Sequence, residues 1–286
     1  MKNNIIDGKE IAKNIRAGLA KEIEMIKEKY GKVPGLAVIL VGNDPASHTY
    51  VSMKEKACKK IGMYSEVHRL SEDTTQNQII ELIEKLNKDD KIDGILVQLP
   101  LPKGINENIV NYKISPEKDV DGFHAINAGN LFLGEKSFVP CTPKGIIRLI
   151  KETGIEIEGK NAVVVGRSNI VGKPTAILLL NENATVKICH SRTRDLAKHV
   201  KEADILVSAV GKPEIIKGEM IKEGAVVIDA GTTKVDGKLV GDVEFDLAKD
   251  RASWITPVPG GVGPMTITML LENTLEAFKK RWNLEP

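Results

Sequence analysis

Six short, almost uninterrupted apolar runs constrain this chain more than any other feature: residues 35–41 (GLAVILV), 92–97 (IDGILV), 162–165 (AVVV), 185–189 (TVKIC), 205–208 (ILVS) and 225–229 (AVVID). A strand with one wet face alternates apolar and polar residues. These runs do not, and their β-branched side chains suit strands of a parallel sheet covered on both faces. Longer segments of helical period separate them. The chain therefore reads as consecutive βαβ units, an α/β protein with two parallel sheets.

At 286 residues the chain exceeds the usual single domain, and two α/β domains are expected. The stretch Val139-Pro140-Cys141-Thr142-Pro143 reads as a boundary, with Thr142 capping a helix whose first residue is Pro143. Residues 256–264 (TPVPGGVGP) are too rich in Pro and Gly for a helix or a central strand, and an amphipathic helix follows them. The expected division is 1–140 with the closing helix 265–286, which packs back on the first domain, and 141–264.

Charge and composition narrow the function classes. Forty-one basic residues against 39 acidic ones leave a formal charge of +2, too balanced to indicate a nucleic-acid partner. No apolar run approaches the ~20 residues that span a bilayer, so no membrane partner is expected. Residues 1–10 (MKNNIIDGKE) lack the apolar core of a secretory signal and carry acids that transit peptides avoid, which points to the cytoplasm. Cys58, Cys141 and Cys189 form no C-x-x-C pair, and the five histidines show no metal-ligand spacing. Reduced thiols and no metal are expected.

The run 162–165 leads into Gly166-Arg167-Ser168-Asn169-Ile170-Val171-Gly172-Lys173-Pro174 and then a helical stretch. Strand, glycine-containing turn and helix is the arrangement that receives a dinucleotide pyrophosphate in a Rossmann-like, doubly wound sheet. The usual G-x-G-x-x-G would need glycine where Ser168 stands, and the spacing also suits an ordinary βα turn. After the next strand, the sequence Ser191-Arg192-Thr193-Arg194 offers a hydroxyl and guanidiniums where NAD enzymes place an acid. Those groups suit a 2′-phosphate, favouring NADP, although a solvated polar turn has the same composition.

A helix is expected over 45–61, opened by Asp44-Pro45 and closed before Gly62. In it Tyr50, Lys54, Ala57, Cys58 and Ile61 fall on one stripe, which makes Lys54 an inward-facing lysine. Burial lowers a lysine's pKa and produces a base near neutral pH, unless the side chain reaches out to water along its stem. Gln98 follows a strand at the carboxyl edge, where open parallel sheets bind their ligands, and Pro100 and Pro102 stop the strand from continuing. A neutral amide there orients a lysine without pairing its charge. The turn Asp119-Val120-Asp121-Gly122-Phe123 offers a carboxylate to a donor-rich heterocycle. Gln98 and the aspartates are equally suited to stabilising turns.

Five segments together resemble the bifunctional methylenetetrahydrofolate dehydrogenase/methenyltetrahydrofolate cyclohydrolase family: Tyr50-Val51-Ser52-Met53-Lys54, Val97-Gln98-Leu99-Pro100-Leu101-Pro102, Lys118-Asp119-Val120-Asp121-Gly122-Phe123, Gly166-Arg167-Ser168 with Gly172-Lys173-Pro174, and Pro257-Val258-Pro259-Gly260-Gly261-Val262-Gly263-Pro264. The similarity extends over nearly the whole chain. It implies two α/β domains with a folate cleft between them, and a homodimer. It also implies that Tyr50 stacks on substrate, that Lys54 is the base held by Gln98, and that Asp121 bonds the pterin. Val97 and Leu99 would line the folate site, with Pro259, Gly260, Gly261, Val262 and Gly263 beside the nicotinamide. Gly166, Arg167, Ser168, Ser191 and Thr232 would contact NADP, and Arg192 joins them on the charge of its turn alone. Thr232 departs from the aliphatic residue common in relatives, so its backbone is expected to matter more than its side chain. The implied function is one-carbon metabolism feeding purine and amino-acid biosynthesis. Two other readings stand beside it: a different two-domain NADP dehydrogenase, which leaves Lys54 with Gln98 unexplained, and a non-catalytic NADP-binding sensor.

Overall fold

The computed structural model describes residues 4–284. The chain forms two compact units: Asn14–Val139 together with the chain from Leu270 onward, and the chain up to Lys13 together with Pro140–Met269. It crosses between them inside helix α1 (Gly8–Tyr30), after Val139, and inside its closing helix. Among the described residues no helix is long and apolar enough to cross a membrane.

The unit containing Asn14–Val139 continues from α1 through β1 (Gly35–Val41), α2 (Pro45–Lys60), β2 (Tyr64–Leu70), α3 (Gln76–Lys88), β3 (Gly94–Val97), α4 (Glu107–Asn111) and α5 (Ala125–Leu133). Its three strands form a parallel sheet in the order β2-β1-β3, with Leu36 opposite both Ser65 and Gly94. Every residue of β1 is buried, as its unbroken apolar sequence requires. Ala37, Ile39 and Val41 pack with Ile95 and Val97 of β3 and with Ile79, Ile83 and Leu86 of α3. Those three α3 residues fall at helical spacing behind a reciprocal cap, in which Thr75 Oγ1 accepts from Gln78 N–H and Gln78 Oε1 accepts from Thr75 N–H.

The other unit contains α6 (Cys141–Glu152), β4 (Asn161–Val165), α7 (Gly172–Asn181), β5 (Thr185–Cys189), α8 (Leu196–Lys201), β6 (Ile205–Ser208), β7 (Val226–Asp229), a hairpin of β8 (Thr233–Val235) and β9 (Lys238–Val240), α9 (Phe245–Arg251), β10 (Trp254–Ile255) and the first part of α10 (Val262–Arg281). Its five-stranded parallel sheet runs β5-β4-β6-β7-β10. The chain starts in the middle, winds one way to β5, then returns past β4 to β6. That reversal is the doubly wound topology, and it opens a crevice at the carboxyl ends of β4 and β6. Val163, Val165, Leu206, Val227 and Ile255 contribute the core of this sheet.

All six apolar runs are strands, and β2, β10 and the β8–β9 hairpin are strands that the pattern did not reveal. The sequence of β2, YSEVHRL, is polar because it lies at the edge of its sheet and is only half-buried. Two expected helix starts are corrected. Thr142 caps nothing: α6 begins at Cys141, and the Thr142 hydroxyl lies 2.9 Å from that of Thr266. Helix α10 begins at Val262, inside the Pro/Gly-rich run. Pro264 falls in its first turn, where the missing N–H has no helical partner to lose.

Candidate active site

Helix α2 starts where Asp44 accepts the N–H of Ser47 at 2.7 Å, a bond that also holds the Asp44 carboxyl below its ordinary pKa. Its buried stripe is Ser47, Val51, Lys54 and Cys58. Tyr50 does not share it, as the sequence pattern had placed it, but is 43% exposed. One residue out of phase turns its ring toward solvent, where it is accessible to a flat ligand. Lys54 is 8% exposed, and its Nζ donates to Gln98 Oε1 at 2.9 Å. Gln98 is fixed in turn, because its N–H bonds to Ile39 O at 2.8 Å and its Nε2 donates to Leu99 O at 2.7 Å. The carbonyl end of the amide is thereby committed to the lysine. Val97 is buried, and Leu99, half-buried, precedes a cis Pro100. Cys58, one turn beyond Lys54, is pushed up to about 12 by burial and remains a thiol at neutral pH.

Asp121 sits half-buried on a loop that Asp119, the other aspartate of the motif, holds in place. Asp119 pairs with Ile95 in an isolated parallel bridge beside β3. Its carboxylate accepts the N–H of Phe123 at 3.2 Å and of His124 at 2.8 Å, and Asn127 Nδ2 at 2.9 Å. Burial raises the Asp119 pKa against the pull of those donors. Lys118, also buried, donates to Leu86 O at 3.0 Å and Asp89 O at 2.9 Å, and burial lowers its pKa. The aspartate pair of the motif thus divides in role: Asp119 folds the loop and Asp121 is presented on it.

In the other unit, Gly166 leaves β4 at φ +130, and a Cβ there would collide with Ala209 O at the end of β6. Gly172, opening α7, likewise lies against Gly166 O. The two glycines bring the backbone of the turn close to the crossover crevice, a cradle that fits a pyrophosphate. Ser168 serves the shape of the turn, since its Oγ accepts from Val171 N–H at 3.1 Å and Gly172 N–H at 3.2 Å. Arg167, Ser191, Arg192 and Thr232 are all exposed. Thr193 Oγ1 closes the turn after β5 by accepting the N–H of His190 at 2.8 Å. Pro259 and Gly263 are exposed, Gly260, Gly261 and Val262 buried, and a second cis bond precedes Pro259.

A doubly wound sheet with a glycine cradle at its crossover, in one chain with a buried lysine held by an amide, defines a dinucleotide-dependent enzyme equipped for proton transfer as well. Comparison with known proteins agrees. Residues 140–282 match the family profile of the tetrahydrofolate dehydrogenase/cyclohydrolase NAD(P)-binding domain, and residues 6–121 match that family's catalytic domain. The chain belongs to the tetrahydrofolate dehydrogenase/cyclohydrolase family. The bifunctional protein FolD of Halothermothrix orenii is 61% identical over 277 residues, spanning 96% of this chain and 98% of that one. The crystal structure of the bifunctional methylenetetrahydrofolate dehydrogenase/cyclohydrolase FolD from Campylobacter jejuni is 49% identical, with a TM-score of 0.95 over 97% of this chain and 99% of that chain. The Trypanosoma brucei enzyme, solved with NADP cofactor and inhibitor, is 44% identical with a TM-score of 0.94 over 97% and 98%.

Proposed function

We propose that this chain oxidises 5,10-methylenetetrahydrofolate to 5,10-methenyltetrahydrofolate with NADP and hydrolyses that product to 10-formyltetrahydrofolate. The observation that carries the reading is the 2.9 Å bond from buried Lys54 to Gln98. A dehydrogenase alone has no need of it.

Tyr50 offers its ring to the flat pterin and Asp121 accepts from the pterin's N–H donors, while Val97 and Leu99 line the site. Bound NADP would supply the hydride acceptor for the methylene carbon. Gly166, Arg167 and Ser168 would hold its pyrophosphate side, Ser191 and Arg192 its 2′-phosphate, and Thr232 would contribute backbone. Pro259, Gly260, Gly261, Val262 and Gly263 would border the nicotinamide. Orienting the two reactants is most of what the chain contributes to this step.

Hydrolysis uses the lysine directly. Water adds to the methenyl carbon and gives a proton to Lys54 Nζ, whose uncharged form the cationic substrate favours by repulsion. The hydroxyl proton of the adduct then passes to N5 as the C–N5 bond breaks. One proton is released for each formyl group made. Gln98 keeps Nζ pointed at the reacting carbon throughout. We place the enzyme in the cytoplasm as a homodimer that supplies one-carbon units for purine and amino-acid biosynthesis.

A two-wavelength assay on purified protein, following reduced coenzyme and methenyl product together, tests the reading. Methylenetetrahydrofolate must drive both signals, with the methenyl signal decaying to formyl product. A chain that reduces NADP without that decay is a dehydrogenase only, and one that does neither falls to the other two readings, an NADP dehydrogenase for a different substrate or a sensor.

A further inference from the structure

Beneath the loops that follow β6 and β7 lies a buried polar cluster that none of the roles above uses. Asp242 is completely buried. Its carboxylate accepts Ser208 Oγ at 3.0 Å and three consecutive backbone N–H groups, those of Val210 at 2.7 Å, Gly211 at 3.3 Å and Lys212 at 2.8 Å. Asp229, at the end of β7, accepts the N–H of Gly231 at 2.9 Å, of Asp242 at 3.0 Å and of Val243 at 2.8 Å. Its own N–H donates to Thr256 Oγ1 at 2.8 Å. Thr233 Oγ1 adds a bond to Gly211 O at 3.1 Å. Gly231 packs so tightly on the Asp242 carboxylate that a Cβ would overlap it.

Successive backbone N–H groups converging on one point make an anion nest, the kind of concavity that elsewhere takes a phosphate. Here the nest after β6 is filled from within by the chain's own carboxylate. The same loop begins at Ala209, whose carbonyl oxygen is the atom that Gly166 must clear at the crossover crevice. Whatever fixes residues 209–212 therefore fixes one wall of the coenzyme cradle.

We propose that Asp242 is a positioning residue for NADP: by occupying the nest after β6 it locks that wall and bars a phosphate from lodging there, leaving the β4–α7 turn as the place for the pyrophosphate. Asp229, pushed up to about 6 chiefly by burial, stands behind the same loops and accepts the N–H of Asp242 itself. Asp242 touches neither substrate nor coenzyme in this role. It acts through the amides of Val210, Gly211 and Lys212.

The proposal rests on the coenzyme reading above, so calorimetric titration of the wild-type chain with NADP comes first. A wild type that does not bind removes that reading. If it binds, Asp242→Ala is expected to raise the Kd for NADP by ~10-fold or more, the scale of losing several charge-assisted bonds. Hydrolysis of supplied 5,10-methenyltetrahydrofolate, which needs no coenzyme, stays within about twofold. Formate, a small carboxylate able to refill the nest, restores part of the affinity, and chloride at equal ionic strength does not. A folded Asp242→Ala chain that binds NADP as the wild type does, or formate acting no better than chloride, overturns the role of Asp242 alone. Should the variant not fold, amide exchange in the wild type without coenzyme decides. Val210, Gly211 and Lys212 must already be protected, and exchange at open-loop rates sinks the proposal.

Discussion

The Nζ of Lys54 donates to the Oε1 of Gln98 across 2.9 Å, joining the middle of helix α2 to the carboxyl end of strand β3. The amide oxygen accepts from the amine and fixes its direction without itself carrying a charge, which suits a group that must take up a proton.

Replacing Lys54 with Met preserves the length and packing of the stem and removes the amine proposed as the base. Cyclohydrolase turnover is expected to fall by ~10²–10⁴-fold, the usual contribution of a positioned base, while folate binding changes little. The check is single-turnover decay of supplied methenyl substrate, with binding followed separately. Hydrolysis at the wild-type rate would remove the lysine from the mechanism.

On the proposed reading, the exposed pair Ser191 and Arg192 after β5 reads the 2′-phosphate. The double change Ser191→Ala with Arg192→Ala is expected to lower kcat/KM for NADP by ~10–100-fold, and for NAD by much less, since only NADP carries the 2′-phosphate. Measuring both ratios settles it. Equal losses would mean that the two residues shape the turn and do not read the phosphate.

Asp119 is expected to act through the loop it holds. In Asp119→Asn an amide NH₂ must face one of the N–H donors now bound by the carboxylate, at a stability cost of about 1–3 kcal/mol. KM for the folate substrate should rise several-fold because Asp121 loses its fixed perch, and the Kd for NADP should not. Thermal melts and parallel titrations measure both. A rise in the NADP Kd equal to that in folate KM would contradict the separation.

Asp229 gives a pH dependence of defined sign. Its folded-state pKa is raised from 3.8 to about 6, so the folded chain holds this proton more tightly than the unfolded one. Its contribution to stability is therefore fully present below about pH 4, declines as pH rises, and is lost above about pH 6, a total of roughly 3 kcal/mol. Asp229→Asn does not titrate. Subtracting the variant's urea-unfolding free energy from the wild type's, across pH 4–7, isolates this group from other carboxylates. A difference that grows with rising pH would reverse the assignment.

How much of this was written in the sequence depended on whether the signal was local. The apolar runs are strands because burial on both faces leaves no room for alternation, and the Gly166 turn was readable because strand, turn and helix are consecutive. Lys54 and Gln98 were legible as separate oddities, one by helical phase and one by its position after a strand. Other features are invisible to such reading. Strand β2 hides because an edge strand need not be apolar. The Asp242 nest joins residues 30 to 34 positions apart, and nothing local in its sequence marks the aspartate as buried. Tyr50 and Thr142 were misplaced for separate reasons: a single residue of helical phase, and a helix that starts at Cys141 with no side-chain cap while the Thr142 hydroxyl meets that of Thr266.

The closing helix has a consequence for how the protein is made. Asn273 donates to Val120 O at 2.8 Å and Val139 O at 3.0 Å, Lys279 pairs with Glu22, and Arg281 bonds Asp90 and Asp93. A ribosome delivers residues 14–139 long before residues 270–284 emerge. The part of the protein that carries the lysine is thus synthesised first and completed last, waiting through the whole of the dinucleotide sheet for its final piece.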